Sequence, residues 1–125
     1  MDESLLHLTE KTLSSEYLYE GRIVTLRKDI VQLSNNTQST REIVEHDPAV
    51  VVLPIDVNNQ IYLIKQYRKA VNDILIEVPA GLINHSEDHL NAAKRELREE
   101  TGFEAGQMTF VGSSYPSPEI GRAHV

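Results

Sequence analysis

Apolar and polar residues alternate through the first third of the chain, from about Lys11 to His46, with GRIVTLRKDIVQL and TREIVEH flanking the polar segment SNNTQS. Two half-buried period-two runs joined by an Asn/Ser/Thr loop predict a β-hairpin, and hence an N-terminal antiparallel β subdomain. Pro48 interrupts the pattern. The run AVVVLPID that follows is almost continuously β-branched or apolar, which suits a strand covered on both faces. VNNQ then reads as a turn and IYLIKQYR as a second strand. ILIEVPAG reads as a third, broken by Pro79 and Gly81, and MTFVGSSY, after a helix, as a further strand before the loop PSP.

The period changes between Gly81 and Phe103. Leu90, Ala93 and Leu97 recur at spacings of three and four, the signature of a helix with one face on a sheet. Ser86 suits an N-cap, Glu87 and Asp88 suit the positive end of the helix dipole, and Gly102 suits a left-handed C-cap, so the spacing predicts a helix over Glu87–Thr101. Glu96, Glu99 and Glu100 are three and four apart and are expected together on the surface opposite the apolar face.

Composition narrows the choice of function. A net charge of −7 over 125 residues argues against a surface that coats nucleic acid, because such binding needs clustered cations. The chain has no cysteine, which removes disulfides and thiolate metal sites. The longest apolar run, AVVVLPI, is too short to span a bilayer. The first residues, MDESLLHLTEK, lack the basic and apolar regions of a secretory signal. The expectation is a cytoplasmic protein with no nucleic-acid or membrane partner. His85 and His89 are four apart, but without an HExxH motif or a thiol they read as solvated histidines at a helix start, not as zinc ligands.

Like charges at i and i+4 destabilise an isolated helix, and a bound cation reverses that sign. Mg²⁺ takes oxygen ligands and commonly joins one or two carboxylates to substrate phosphates. The residues also keep a longer spacing: Gly81, five residues, Glu87, seven residues, then Arg95, Glu96, Leu97, Glu99, Glu100, Gly102 and Phe103. At ordinary residue frequencies such a match arises by chance in fewer than about one chain in ten thousand. This spacing is that of the box of the Nudix hydrolases, which the chain resembles. TREIVEH, QYRKA, EVPAG and SYPSP outside the box resemble the ADP-ribose pyrophosphatase branch of that family.

The resemblance implies an α/β fold, the Nudix α/β/α sandwich with a mixed sheet, preceded by the N-terminal antiparallel β subdomain. It implies residues 1–47 as that subdomain, serving dimerisation and substrate contacts, and 48–118 as a partial Nudix domain. The implied reaction is hydrolysis of the diphosphate of ADP-ribose to AMP and ribose 5-phosphate with Mg²⁺, or Mn²⁺ in its place, by a homodimer. Glu96 and Glu100 with the carbonyl of Ala80 are the implied metal ligands, and Glu99 is a further one. Glu87 is expected to hold Arg95 and orient the loop, while Arg41, Arg68 and Leu82 are expected at the substrate. Alternatives are another nucleoside diphosphate sugar such as GDP-mannose, or a non-catalytic nucleotide or ADP-ribose sensor.

Related enzymes continue past SPE with further strands, a second helix and a loop carrying the general base, so the C-terminal part of the fold is expected to be missing. EIGRAHV, Glu119 to Val125, can be encoded by the start of a common sequencing adapter. It is expected to be a non-native tail on a fragment with little or no turnover of its own.

Overall fold

The computed structural model describes residues 2–118, so the expected non-native tail lies outside the described residues. These residues form two compact units, 2–47 with 114–118, and Pro48–Ser113.

The first unit opens with a 3₁₀ turn, Glu3–Leu8, capped by Asp2, whose side chain accepts from the Ser4 N–H. Three antiparallel strands follow, β1 (Lys11–Glu20), β2 (Val24–Gln32) and β3 (Gln38–His46), in the order β1-β2-β3. The hairpin expected from the alternation is β2–β3, in register from Val24↔His46 to Gln32↔Gln38. Its loop is closed by the Leu33 N–H on the Thr37 carbonyl and turns at Asn36, where φ is 66°. Asparagine is among the few side chains that tolerate that geometry. Strand β1 adds a third member with register shifts at Thr12/Ser14 and Tyr17/Tyr19. All ten of its residues are exposed, so no buried face marks it as a separate strand in the sequence.

In the second unit, the long run after Pro48 forms only a short strand, β4 (Ala49–Val51). Proline has no N–H to donate to a ladder, and beyond Pro54 the chain turns, with Ile55 bridging Ile61. The next strand therefore starts late, as β5 (Ile64–Arg68), and pairs with β6 (Asp73–Glu77). At Val78–Pro79 the chain changes partner: β7 (Ala80–Leu82) leaves β5 and pairs with β4. Pro79 is fully buried, and its carbonyl accepts from the Val52 N–H at 2.9 Å. Every strand pair among the described residues is antiparallel.

Helix α1 spans His89–Thr101, two residues shorter at its start than the sequence suggests. Ser86 has φ 64°, which denies it the extended geometry of an N-cap. Asp88 is extended instead and accepts from the Asn91 N–H at 2.7 Å. The other end is as expected, with Gly102 at φ 77°. The buried face is Ala92, Ala93, Glu96 and Leu97, whereas Leu90 stays half exposed. Val52, Ala93 and Leu97 form the core, with Val50, Ala105 and Met108 packed on it. Tyr62 meets Phe103 edge-on with ring centroids 4.7 Å apart, just past the helix end.

Two expectations are corrected. MTFVGSSY is not a strand: a strand requires a neighbour for its ladder, no described segment pairs with it, and Val111 is almost wholly exposed. Glu96 is not on the surface opposite the apolar residues but is buried among them, 8% exposed.

Candidate active site

Strand β7, the loop 83–88 and helix α1 meet at one guanidinium. The loop is short and self-bonded: the Ile83 N–H reaches the Pro48 carbonyl, the Glu87 N–H the Asn84 carbonyl, and the Asn84 N–H returns to Glu87 Oε1 at 3.1 Å. Glu87 then takes a two-pronged grip from Arg95, Nε to Oε2 at 2.8 Å and Nη2 to Oε1 at 2.9 Å. This fork geometry is open to arginine and not to lysine. Nη2 also donates to the Leu82 carbonyl at 2.9 Å, and Nη1 to Glu96 Oε1 at 2.8 Å and Glu99 Oε2 at 3.2 Å. One side chain thereby ties strand, loop and helix together.

The electrostatics follow the bonds. The Glu87 carboxyl is held below its ordinary range, chiefly by the Arg95 hydrogen bonds, with the Asn84 N–H adding to them against the effect of burial. Arg95 is held above its ordinary value, first by Glu87 and then by Glu96.

Glu96 lies against the backbone of Gly81. A Cβ on Gly81 would stand 2.1 Å from the Glu96 carboxyl carbon and 2.2 and 2.4 Å from its oxygens, so only glycine lets this carboxylate come so close. One helical turn on, Glu100 Oε2 accepts from the Ala80 N–H at 3.2 Å. Two carboxylates thus meet two consecutive backbone positions of β7. This is a set of hard oxygen donors at a place without side-chain obstruction, and it fits an oxygen-seeking divalent cation. The carboxylates do not converge as they stand. Among the described residues no three His, Cys, Asp or Glu side chains are grouped closely enough to hold an ion, and the Arg95 guanidinium lies between Glu96 and Glu99.

Of the expected substrate residues, Leu82 enters through its carbonyl on Arg95. Arg68, on β5, makes a two-pronged pair with Glu77 on β6, at 2.8 and 2.6 Å. That pair raises Arg68 above its ordinary value, the charge of Glu100 adds to the effect, and Glu77 is lowered in turn by Arg68. Arg41 lies in the first unit, where it grips Glu10, with Nε to Oε2 at 2.9 Å, and donates to Ser39 Oγ and the Thr40 carbonyl.

Two charged groupings escape a reading by motif. Glu77 is the partner of Arg68, and the signal for it was the β5–β6 hairpin, which sets Glu77 opposite Ile64 on Arg68's face. Asp29, 3% exposed, is gripped by Arg27, which also binds Glu45. The signal there was the i, i+2 placement of Arg27 and Asp29 on one face of a strand.

Residues 45–125 match the family model described as NUDIX domain, and residues 10–44 match that described as nucleoside diphosphate sugar hydrolase N-terminal domain. The chain is 44% identical over 109 residues to the methanol dehydrogenase activator of Bacillus methanolicus, covering 87% of this chain and 59% of that protein. It is 39% identical over 111 residues to the ADP-ribose pyrophosphatase of Bacillus subtilis, covering 89% and 60%. It is 44% identical over 97 residues to the ADP-ribose pyrophosphatase of Mycobacterium tuberculosis, covering 76% and 46%. A crystal structure of an ADP compounds hydrolase superposes with TM-score 0.76 at 30% identity, over 87% of this chain and 60% of that one. The chain therefore spans between 46% and 60% of the length of these relatives, and over that span it has their α/β fold.

Proposed function

The chain belongs to the Nudix family, and from that premise we propose that the whole protein hydrolyses the diphosphate of ADP-ribose to AMP and ribose 5-phosphate. The observation that carries this reading is the seating of Glu96 and Glu100 on the backbone of Gly81 and Ala80, in a chain whose relatives include two named ADP-ribose pyrophosphatases. Glu96, Glu100 and the Ala80 carbonyl would hold Mg²⁺, or Mn²⁺ in its place, with Glu99 as a further ligand. When bound, the ion neutralises diphosphate charge and activates water.

The chain's own residues supply the rest. Glu87 and Arg95 fix the loop that carries β7 into the helix, so the carboxylates keep their places through the reaction. Arg68, half exposed and already polarised by Glu77 and Glu100, offers a guanidinium to a phosphate or the terminal ribose. Leu82 is a further substrate contact in this unit, and Arg41, in the first unit, is a substrate contact that this reading assigns separately. In the net step water adds across the bridge: its oxygen ends on one phosphorus, and the bridging oxygen leaves on the other.

A homodimer is part of this reading, supported by Leu13, Tyr17, Leu18 and Tyr19, apolar or aromatic side chains exposed along β1. A cytoplasmic setting is supported by the cysteine-free composition. No helix among the described residues is long and apolar enough to cross a membrane.

The test is Mg²⁺-dependent release of AMP from ADP-ribose by the complete native protein, with GDP-mannose assayed beside it. AMP release confirms the reading. Preferential cleavage of GDP-mannose replaces the substrate with the wider class named for the N-terminal match, and tight ADP-ribose binding without turnover makes the protein a sensor.

A further inference from the structure

Arg95 serves more than one master. Its fork is spent on Glu87, yet Nη1 reaches beyond the fork to both Glu96 and Glu99. Glu96 is the carboxylate pressed on Gly81, its side chain only 11% exposed. A carboxylate so far from water needs a cation or several donors, and Arg95 is the cation that it has.

We infer that Arg95 is a built-in competitor for the divalent ion: Nη1 and the ion bind the same face of Glu96 and Glu99, and Glu87 sets how much of Arg95 is left over for them. This rests on the metal reading of the preceding section. Because Glu87 neutralises Arg95 from the side away from Glu96 and Glu99, it weakens the competitor without touching the ion. Glu87 and Arg95 are therefore positioning residues whose effects on ion affinity have opposite signs, although they form a single ion pair.

Opposite signs separate this role from a purely structural one. Were the pair only a brace for the loop, breaking it from either end would loosen the site and lower affinity in both variants. Under competition, Arg95→Ala removes the rival charge and Glu87→Gln strengthens it.

The experiment is Mn²⁺ binding to the whole chain, read as loss of the free-ion signal in electron paramagnetic resonance, for wild type, Arg95→Ala, Arg95→Gln and Glu87→Gln. Arg95→Gln keeps most of the side-chain length and a donor for the Leu82 carbonyl, and it stands in if the alanine variant does not fold. Circular dichroism of each variant confirms the fold. The expected result is affinity about tenfold tighter without Arg95 and several-fold weaker with Glu87→Gln, as a unit charge about 6 Å from a divalent ion under water-like screening implies. Weakening in both, or no change in either, overturns the competition while leaving the metal reading intact. Failure of the wild-type chain to take up Mn²⁺ overturns the metal reading and the competition with it.

Discussion

Among the described residues, two arginines each gather more than one carboxylate, and the two clusters are balanced differently. In the first unit Arg27 grips Asp29 and binds Glu45, one cation to two carboxylates, on the face of a regular antiparallel sheet whose register sets all three. In the second unit Arg95 faces Glu87, Glu96 and Glu99, with Glu100 on the neighbouring backbone. It does so on a strand end, a loop and a helix. The first cluster is left with a single negative charge to spare, and Asp29 is held below its ordinary range by Arg27 and Ser15. The second carries a larger surplus of negative charge. A surplus of buried or half-buried carboxylate is costly to keep for structure alone. The contrast therefore separates a cluster that fastens strands from one that, under the proposed function, takes up a cation.

Four measurements would break or sharpen this contrast. The largest effect is expected for Glu100→Gln in the complete protein: loss of AMP release by about a hundredfold or more, with the fold unchanged by circular dichroism. Activity within a factor of a few would remove Glu100 from the metal site. Next is Gly81→Ala. The added methyl meets the flexible end of Glu96, not backbone, so the side chain can yield and the fold survives, but the carboxylate is displaced. A shift near 1 Å at a reacting centre costs on the order of a hundredfold in rate, and a matching loss of Mn²⁺ affinity is expected.

Asp29→Asn should do the reverse: the melting temperature falls by a few degrees and Mn²⁺ affinity is unchanged. A change in affinity would dissolve the distinction between the clusters. The smallest effect concerns acid. Glu87, Glu77 and Asp29 all titrate below their ordinary values, each first because of its arginine. The folded chain therefore binds fewer protons than the unfolded one in that window. The stability they confer is whole above the ordinary carboxylate range, near pH 4, and is lost as pH falls through the lowered values. Melting temperature should drop between about pH 5 and about pH 3, and less so in Arg95→Ala, which has already lost one of the three pairs.

Much of the site was legible because its spacing is local. Arg95, Glu96, Glu99 and Glu100 fall within two turns of one helix, and the left-handed end at Gly102 needed only a glycine after a periodic run. The start of the helix was not legible, because Ser86 is a fair cap by type and only its positive φ excludes it in favour of Asp88. The burial of Glu96 was hidden for a related reason. A charge run reads as a solvent face, and nothing in the letters says that a glycine fifteen positions earlier has left room for a carboxylate. Strand length failed at the run through Pro54, which divides what hydrophobicity alone runs together. The partners of Arg27 and Arg68 depend on strand register, which pattern specifies only once the hairpins are known.

Gly81 also foretells a pattern of tolerance. In a saturation library of the complete protein, replacements at position 81 of any kind place a Cβ into the Glu96 carboxylate, so survival under selection for activity should collapse there whatever the chemistry of the newcomer. Gly106 and Gly112 have nothing within 4 Å of an added Cβ, and their φ angles are not positive. Libraries at those two positions should pass almost unfiltered, leaving one glycine in the chain to read out the carboxylate beside it.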